Sequence, residues 1–186
     1  MSAMDATSIE VADTDSPQDA EIVAALAART FGDACPPWLS RQYVQEFIDK
    51  ELSAARFASW IAEPDAHVVL ASADGAVHGY ALWIDDVHAE VPSEFSGERT
   101  AYLSKLYVDA DWRGDGIAAA LMQAVIDGAR AAGCVALWLG VNDENARART
   151  FYAKWGMRAV GRRDFAVGAH RFVDDLFAMP LNSPTG

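Results

Sequence analysis

The chain has 186 residues, 52% of them hydrophobic and 23% charged, the composition of an ordinary globular domain. A formal net charge of −12 excludes a general nucleic-acid binder, which needs a basic footprint. No apolar run approaches the roughly 20 residues of a membrane span, the N-terminus shows no signal pattern, and two cysteines build no disulfide framework. A cytoplasmic protein without nucleic-acid or membrane partners is the expectation. Charge is unevenly spread: residues 1–100 carry 5 Lys/Arg and 18 Asp/Glu, whereas 101–163 carry 9 and 6. That split suits an anionic cofactor and a cationic substrate, although an acidic surface also serves solubility alone.

Residues 1–12 are small and polar without periodicity and read as a flexible tail, with a single domain over 13–182. Ser16-Pro17-Gln18-Asp19 reads as a helix start, Ser16 the cap, followed by an apolar face of Ile22, Val23, Leu26 and Ala27. Gly32 to Pro37 breaks it. Ser40 caps a second helix with Tyr43, Val44, Phe47, Ile48 and Leu52 at helical spacing, running towards Trp60. His67 to Ala71 and Val77 to Ile84 read as strands joined at the hairpin signal Asp74-Gly75. An acidic loop spans 85–99, and Ala101 to Val108 is a third strand. A helix follows over about 116–132, its buried face Ile117, Leu121, Ala124, Val125 and Gly128, with Gly133 as its stop. Val135 to Val141 reads as a central strand. Asn142 to Asn145 opens another helix that ends near Trp155, and Met157 to Gly161 and Arg171 to Met179 close the chain as strands. This order predicts a mixed α/β layer around one sheet.

The segment between the third strand and the helix carries chemistry. Arg113-Gly114-Asp115-Gly116-Ile117-Ala118 places a glycine-containing turn at a helix N-terminus, where unbonded N–H groups attract phosphate. Gly114 and Gly116 allow unusual φ values, Arg113 offers a charged donor, and Asp115 belongs in solvent. Read alone, two glycines two apart also fit an ordinary strand-to-helix turn. The stretch is neither a dinucleotide fingerprint nor a P-loop. The four histidines show no metal spacing, and no metal is expected. His78 reads as a surface or satisfied group and Cys134 as a core thiol. Trp112 flanks the turn, whereas Trp38, Trp60, Trp83 and Trp155 read as core.

Leu106-Tyr107-Val108, Trp112 and Arg113 to Ala118 together resemble the cofactor motif of the GNAT N-acetyltransferases, Gln/Arg-x-x-Gly-x-Gly/Ala. Leu137 to Val141, then Asn145-x-x-Ala148-x-x-Phe151-Tyr152, then Trp155-Gly156-Met157, is similar to the second motif of that family. The resemblance covers 16–180. Looser matches at Thr30-Phe31, Tyr80 to Asp86, Trp138 to Val141 and Phe165, Gly168 and Asp174 resemble spermidine/spermine acetyltransferases of the Pai type.

The resemblance implies a mostly antiparallel twisted sheet, splayed at the cofactor site and flanked by helices, and acetyl-CoA as cosubstrate. It implies that Leu106, Tyr107 and Val108 pair with the pantetheine arm. The amides of Arg113, Gly114, Asp115, Gly116, Ile117 and Ala118 would hold the pyrophosphate. Asn145 would bond the arm, and Tyr152 would lie near the sulfur and protonate the thiolate. Many relatives carry a glutamate about where Ser104 stands. A water held by Ser104 and a nearby carboxylate, or Asp85 or Asp86, is left as the base, and the two aspartates would also attract a cationic amine. The acceptor is a small-molecule amine, a polyamine such as spermidine or another amine. A non-catalytic acyl-CoA-binding module and a homodimer remain open alternatives.

Overall fold

A computed structural model describes residues 9–85, 91–167 and 170–181. Among the described residues, seven strands and five α-helices follow one another as β1 (Glu10–Thr14), α1 (Asp19–Ala34), α2 (Arg41–Glu51), α3 (Ala54–Ala62), β2 (Ala66–Ala73), β3 (Ala76–Asp85), β4 (Thr100–Val108), α4 (Ile117–Ala131), β5 (Ala136–Asn142), α5 (Ala146–Lys154), β6 (Arg158–Val167) and β7 (His170–Pro180). The strands form one mixed sheet in the order β1-β2-β3-β4-β5-β7-β6. Strand β4 runs parallel to β5, whereas β1–β2, β5–β7 and β6–β7 are antiparallel. This is the expected fold class.

The chain divides into two compact units. One is built from residues up to Leu82 with Lys105–Val125, the other from Trp83–Ser104 with Ile126 onward.

In the first unit the β2–β3 hairpin turns at Asp74 (φ 51°) and Gly75 (φ 77°). Two successive positive φ values are those of a type I′ turn, as the Asp-Gly pair predicts. Ser40 accepts a hydrogen bond from the Tyr43 N–H at 3.2 Å and so caps α2, as predicted.

Three expectations change. Residues 10–12, expected in the flexible tail, join Asp13 and Thr14 in β1, which pairs with Val68–Ser72 of β2. The first helix begins at Asp19, not at Ser16. Ser16 donates its hydroxyl to Gln18 at 2.6 Å, and Thr14 donates to the Asp19 carboxylate. The helix running towards Trp60 is two helices, because Ser53 turns out of helical geometry and caps α3 through the Arg56 N–H at 3.3 Å.

Helix α4 begins in the first unit, and Gly79 of β3 sets how closely it lies. A Cβ on Gly79 would come within 2.7 Å of Ile117 Cγ2, 3.0 Å of Leu121 Cδ1 and 3.2 Å of the Tyr107 carbonyl oxygen. Ile117 and Leu121 are fully buried there. On the opposite side of the first unit's core, Phe57 and Trp60 of α3 pack edge-on, and Phe57 meets Tyr80 at 5.6 Å.

The core of the second unit is aliphatic and aromatic. Strand β5 contributes Leu137, Trp138 and Leu139, all at most 1% exposed. Gly128 of α4 faces Trp83, whose ring would sit 2.9 Å from a Cβ at that position. Two tight helix-to-sheet contacts therefore depend on glycine. Gly79→Val should lower stability by about 2 kcal/mol or more through overpacking, read as a fall in Tm or in the urea midpoint at unchanged m.

Candidate functional site: a phosphate turn and a capped helix

In the first unit, β4 ends at Val108, and the Asp109 N–H bonds the His78 carbonyl of β3 at 2.8 Å. Ala110–Trp112 then makes a single 3-10 turn, closed by Trp112 N–H to Asp109 O at 3.0 Å and Arg113 N–H to Ala110 O at 3.3 Å. Gly114 and Gly116 follow with φ of 97° and 89°. Both values lie where a side chain is strained, so the turn requires glycine twice. The Gly116 carbonyl accepts from Ala120 N–H at 2.9 Å, the first closing bond of α4. The amides just before Ala120 therefore have no acceptor inside the helix. Residues 113–116 are exposed, and open space faces the Gly114 Cα. An exposed turn leading into amides without intrahelical acceptors, at the start of a 15-residue helix, can take a diphosphate.

The side chains around the turn are tied to α1. Arg29 donates to both oxygens of Asp109, Nε to Oδ1 at 2.6 Å and the terminal nitrogen to Oδ2 at 2.9 Å. The guanidinium holds the Asp109 carboxyl below its usual range. His78 Nδ1 lies 3.3 Å from Asp109 Oδ2, and its ring stacks on Trp112 at 4.0 Å. Arg113 reaches Asp33 at 2.9 Å. The guanidinium expected to offer a charged donor to the cofactor thus has a carboxylate partner. Asp115 is exposed, as its charge requires.

Strand β4 holds the other expected cofactor residues, Leu106, Tyr107 and Val108. Tyr107 stacks on Tyr80 at 5.7 Å. The register of β4 with β5 covers Thr100–Tyr102 against Ala136–Trp138, so Leu103–Val108 lies past the paired stretch. Lys105, unremarked in the sequence, places its ammonium over the Trp60 ring at 4.8 Å, and Arg56 approaches the same ring at 4.5 Å. Burial, with Arg56 nearby, pushes the Lys105 amine down to about 8.

In the second unit, Asn145 is the N-cap of α5, and its Oδ1 accepts from Ala148 N–H at 3.1 Å. Tyr152 lies two turns into that helix, buried, with its ring edge-on to Phe151 at 5.3 Å. Ser104 stands on β4, half-buried. Asp85 is buried at the end of β3 and accepts from Arg99 at 2.7 Å. Asp86 lies outside the described residues, as do His88, Glu90 and Gly168.

Arg163 and Asp174 pair at 3.0 Å, close against Gly140, whose Cβ would sit 2.8 Å from each. Burial pushes the Asp174 carboxyl up despite that arginine. The thiols are poor nucleophiles: burial raises Cys35 to about 11, and Cys134 is in the core. Among the described residues no group of three metal-ligating side chains gathers. Trp60 and Trp83 are core as expected, but Trp38 is 52% exposed. No described helix is long and apolar enough to cross a membrane.

The clamp of Arg29, Asp33, His78 and Asp109 escaped sequence reading. Its partners are 31 to 80 residues apart, beyond any local pattern.

The model of the Acetyltransferase (GNAT) family matches residues 32–157. An uncharacterized N-acetyltransferase of Mycobacterium tuberculosis is 42% identical over 163 residues, covering 88% of this chain and 98% of that protein. Among solved structures, PaiA N-acetyltransferase from Thermoplasma acidophilum in complex with coenzyme A has a TM-score of 0.74 at 20% identity, covering 93% of this chain and 99% of that one. A Salmonella typhimurium protein solved with its cofactor acetyl-CoA has a TM-score of 0.71 at 14% identity, covering 97% and 98%.

The Lys105 shift has a measurable consequence. An unfolded chain holds that proton up to the ordinary 10.5, whereas the folded chain releases it near 8. The unfolded state then binds more protons between those values, so folding gains stability as pH rises through them. Wild type should gain on Lys105→Met by about 1–3 kcal/mol between pH 7 and 11, and paired denaturant titrations across that range would show it.

Proposed function

The chain belongs to the GNAT acetyltransferase family and is an acetyl-CoA-dependent N-acetyltransferase; on that premise we propose direct acetyl transfer to the primary amine of a polycation, of the spermidine type that Pai-type enzymes suggest. The observation that carries the site assignment is the turn itself: two positive-φ glycines opening a 15-residue helix after a strand whose register with its parallel partner ends at Tyr102. In this reading the amides of residues 113–118 take the diphosphate. Leu106–Val108, past the β4–β5 register, pairs with the pantetheine arm, and Asn145 bonds that arm through the amide group it does not use as a cap.

The amine nitrogen attacks the thioester carbonyl. A C–N bond forms as the C–S bond breaks. The Val108 N–H polarises the carbonyl oxygen, and the Tyr152 hydroxyl gives its proton to the departing thiolate. The amine proton passes through a water held by Ser104 to bulk solvent, because serine is no base unaided. Burial of Tyr152 supports its role, since a phenol donates to a thiolate best in a dry site. Tyr152→Phe should keep coenzyme A binding and lower kcat roughly 100-fold or more, measured by thiol release with acetyl-CoA and spermidine. Loss of turnover in both proteins across a broad amine panel would favour a binding module instead.

The acceptor class rests on the excess of 18 acidic over 5 basic residues in the first hundred. The Asp85–Arg99 pair supports a second reading, because it neutralises one carboxylate assigned to a polycation. That reading is a singly charged amine: an amino acid, an antibiotic or a protein N-terminus. Ionic strength separates the two. With a polycation, kcat/KM should fall several-fold between about 0.05 and 0.5 M salt, whereas a singly charged acceptor should change little.

A further inference from the structure

We infer that Arg29 and Asp33 of α1 are positioning residues for acetyl-CoA, holding the 109–113 segment, and with it the Gly114–Gly116 turn, in the shape that receives the cofactor. The inference rests on the assignment of that turn to the cofactor.

Arg29 and Asp33 are four residues apart and so share a helix face. Their partners Asp109 and Arg113 are also four apart. Each pair joins residues 80 positions distant, at 2.6 and 2.9 Å. The charges cross: α1 offers a cation to a carboxylate, then a carboxylate to a cation. Sliding α1 by one turn would bring like charges together, so the crossing specifies one register. Between the two pairs the 3-10 turn is closed by its own backbone bonds, and Trp112 lies on His78, which also faces Asp109. The segment is thus fixed at both ends and in its middle, immediately before the two glycines. Arg113 acts here as a tether, and the diphosphate is left to the backbone amides.

Exposed ion pairs add little to global stability. Arg29 and Asp33 are each nearly half exposed at the side chain. A purely structural role would therefore change Tm little and cofactor affinity not at all, whereas a positioning role changes affinity.

The experiment is calorimetric coenzyme A binding and steady-state kinetics on Arg29→Ala, Asp33→Ala and Arg29→Lys, with Glu21→Ala as an exposed control on α1. Expected is a roughly three- to tenfold rise in Kd and in KM for acetyl-CoA for both alanine variants. The amine KM and kcat should stay within about twofold, and Arg29→Lys should recover part of the loss. Arg29→Ala combined with Asp109→Asn should cost less than the two single losses added together. Unchanged coenzyme A affinity in both alanine variants overturns the inference. So does tighter binding by Asp33→Ala, which would make Arg113 a direct ligand restrained by Asp33. If an alanine variant does not fold, Arg29→Lys and Asp33→Asn carry the same comparison. Gly116→Val separates this inference from its premise. Normal coenzyme A binding by that variant defeats the turn assignment. Loss there, with normal binding in the α1 variants, defeats the positioning role alone.

Discussion

The close seat of α4 on β3 at Gly79 is the constraint on which the first unit depends. Only a residue without a side chain lets Ile117 and Leu121 rest directly on the strand. That contact fixes where the helix starts. The hydrogen bond from Asp109 N–H to His78 O, one residue from Gly79, anchors the chain just past the end of β4. With both ends set, Asp109 to Gly116 must reverse direction in a short span. A 3-10 turn and two left-handed glycines accomplish this, and the start of α4 keeps its amides outward. The proposed anion site is therefore a by-product of packing: the helix is held so that its first N–H groups, without acceptors inside the helix, follow an exposed glycine turn.

Much of this was legible in the sequence because the signals were local. Asp74-Gly75 has one common use between two β-runs, and the apolar spacing of 117–128 has one helical face. The predicted helix 116–132 and the observed Ile117–Ala131 differ by a residue at each end. The paired motifs around Arg113–Ala118 and Asn145–Tyr152 carried the family because each is dense in required residues. What failed was whatever depends on partners distant in sequence. Strand β1, Glu-Val-Ala-Asp-Thr, has no strand pattern of its own and is stabilised by the β2 ladder at the sheet edge. The break between α2 and α3 is hidden because the apolar spacing continues across Leu52, and only the Ser53 cap bond marks it. Trp38 was misplaced for the converse reason: a large apolar residue was read as buried without a pattern to place it.

The second unit shows how a buried charge is accommodated rather than avoided. Gly140 has no side chain, and the Arg163–Asp174 pair lies where one would stand. Burial still raises the Asp174 carboxyl, so desolvation outweighs what one arginine returns. Next to it, Arg162 joins Asp175 and Asp143 at 3.0 and 2.9 Å, and Arg149 adds a further contact to Asp175 at 3.0 Å. Strands β6 and β7 are therefore stitched by two cross-strand charge pairs, Arg162–Asp175 and Arg163–Asp174, each modest alone.

These pairs change what the charge distribution means. The basic excess over 101–163 invites a direct reading, in which arginines draw the anionic cofactor. Yet Arg113, Arg149, Arg158, Arg162 and Arg163 each meet a carboxylate within 3.0 Å. Paired in this way, they contribute local dipoles and little net field. In the proposed site, attraction of a diphosphate to the turn then falls to the helix amides, which carry partial positive charge whatever the net charge of the chain. The acidic excess outside such pairs acts at longer range, where it repels anions and gathers cations. A protein of net charge −12 can hold a polyanionic cofactor on these terms because the two effects work at different distances. The amides act within hydrogen-bonding reach, and the diffuse field is screened beyond about 8–10 Å at physiological salt.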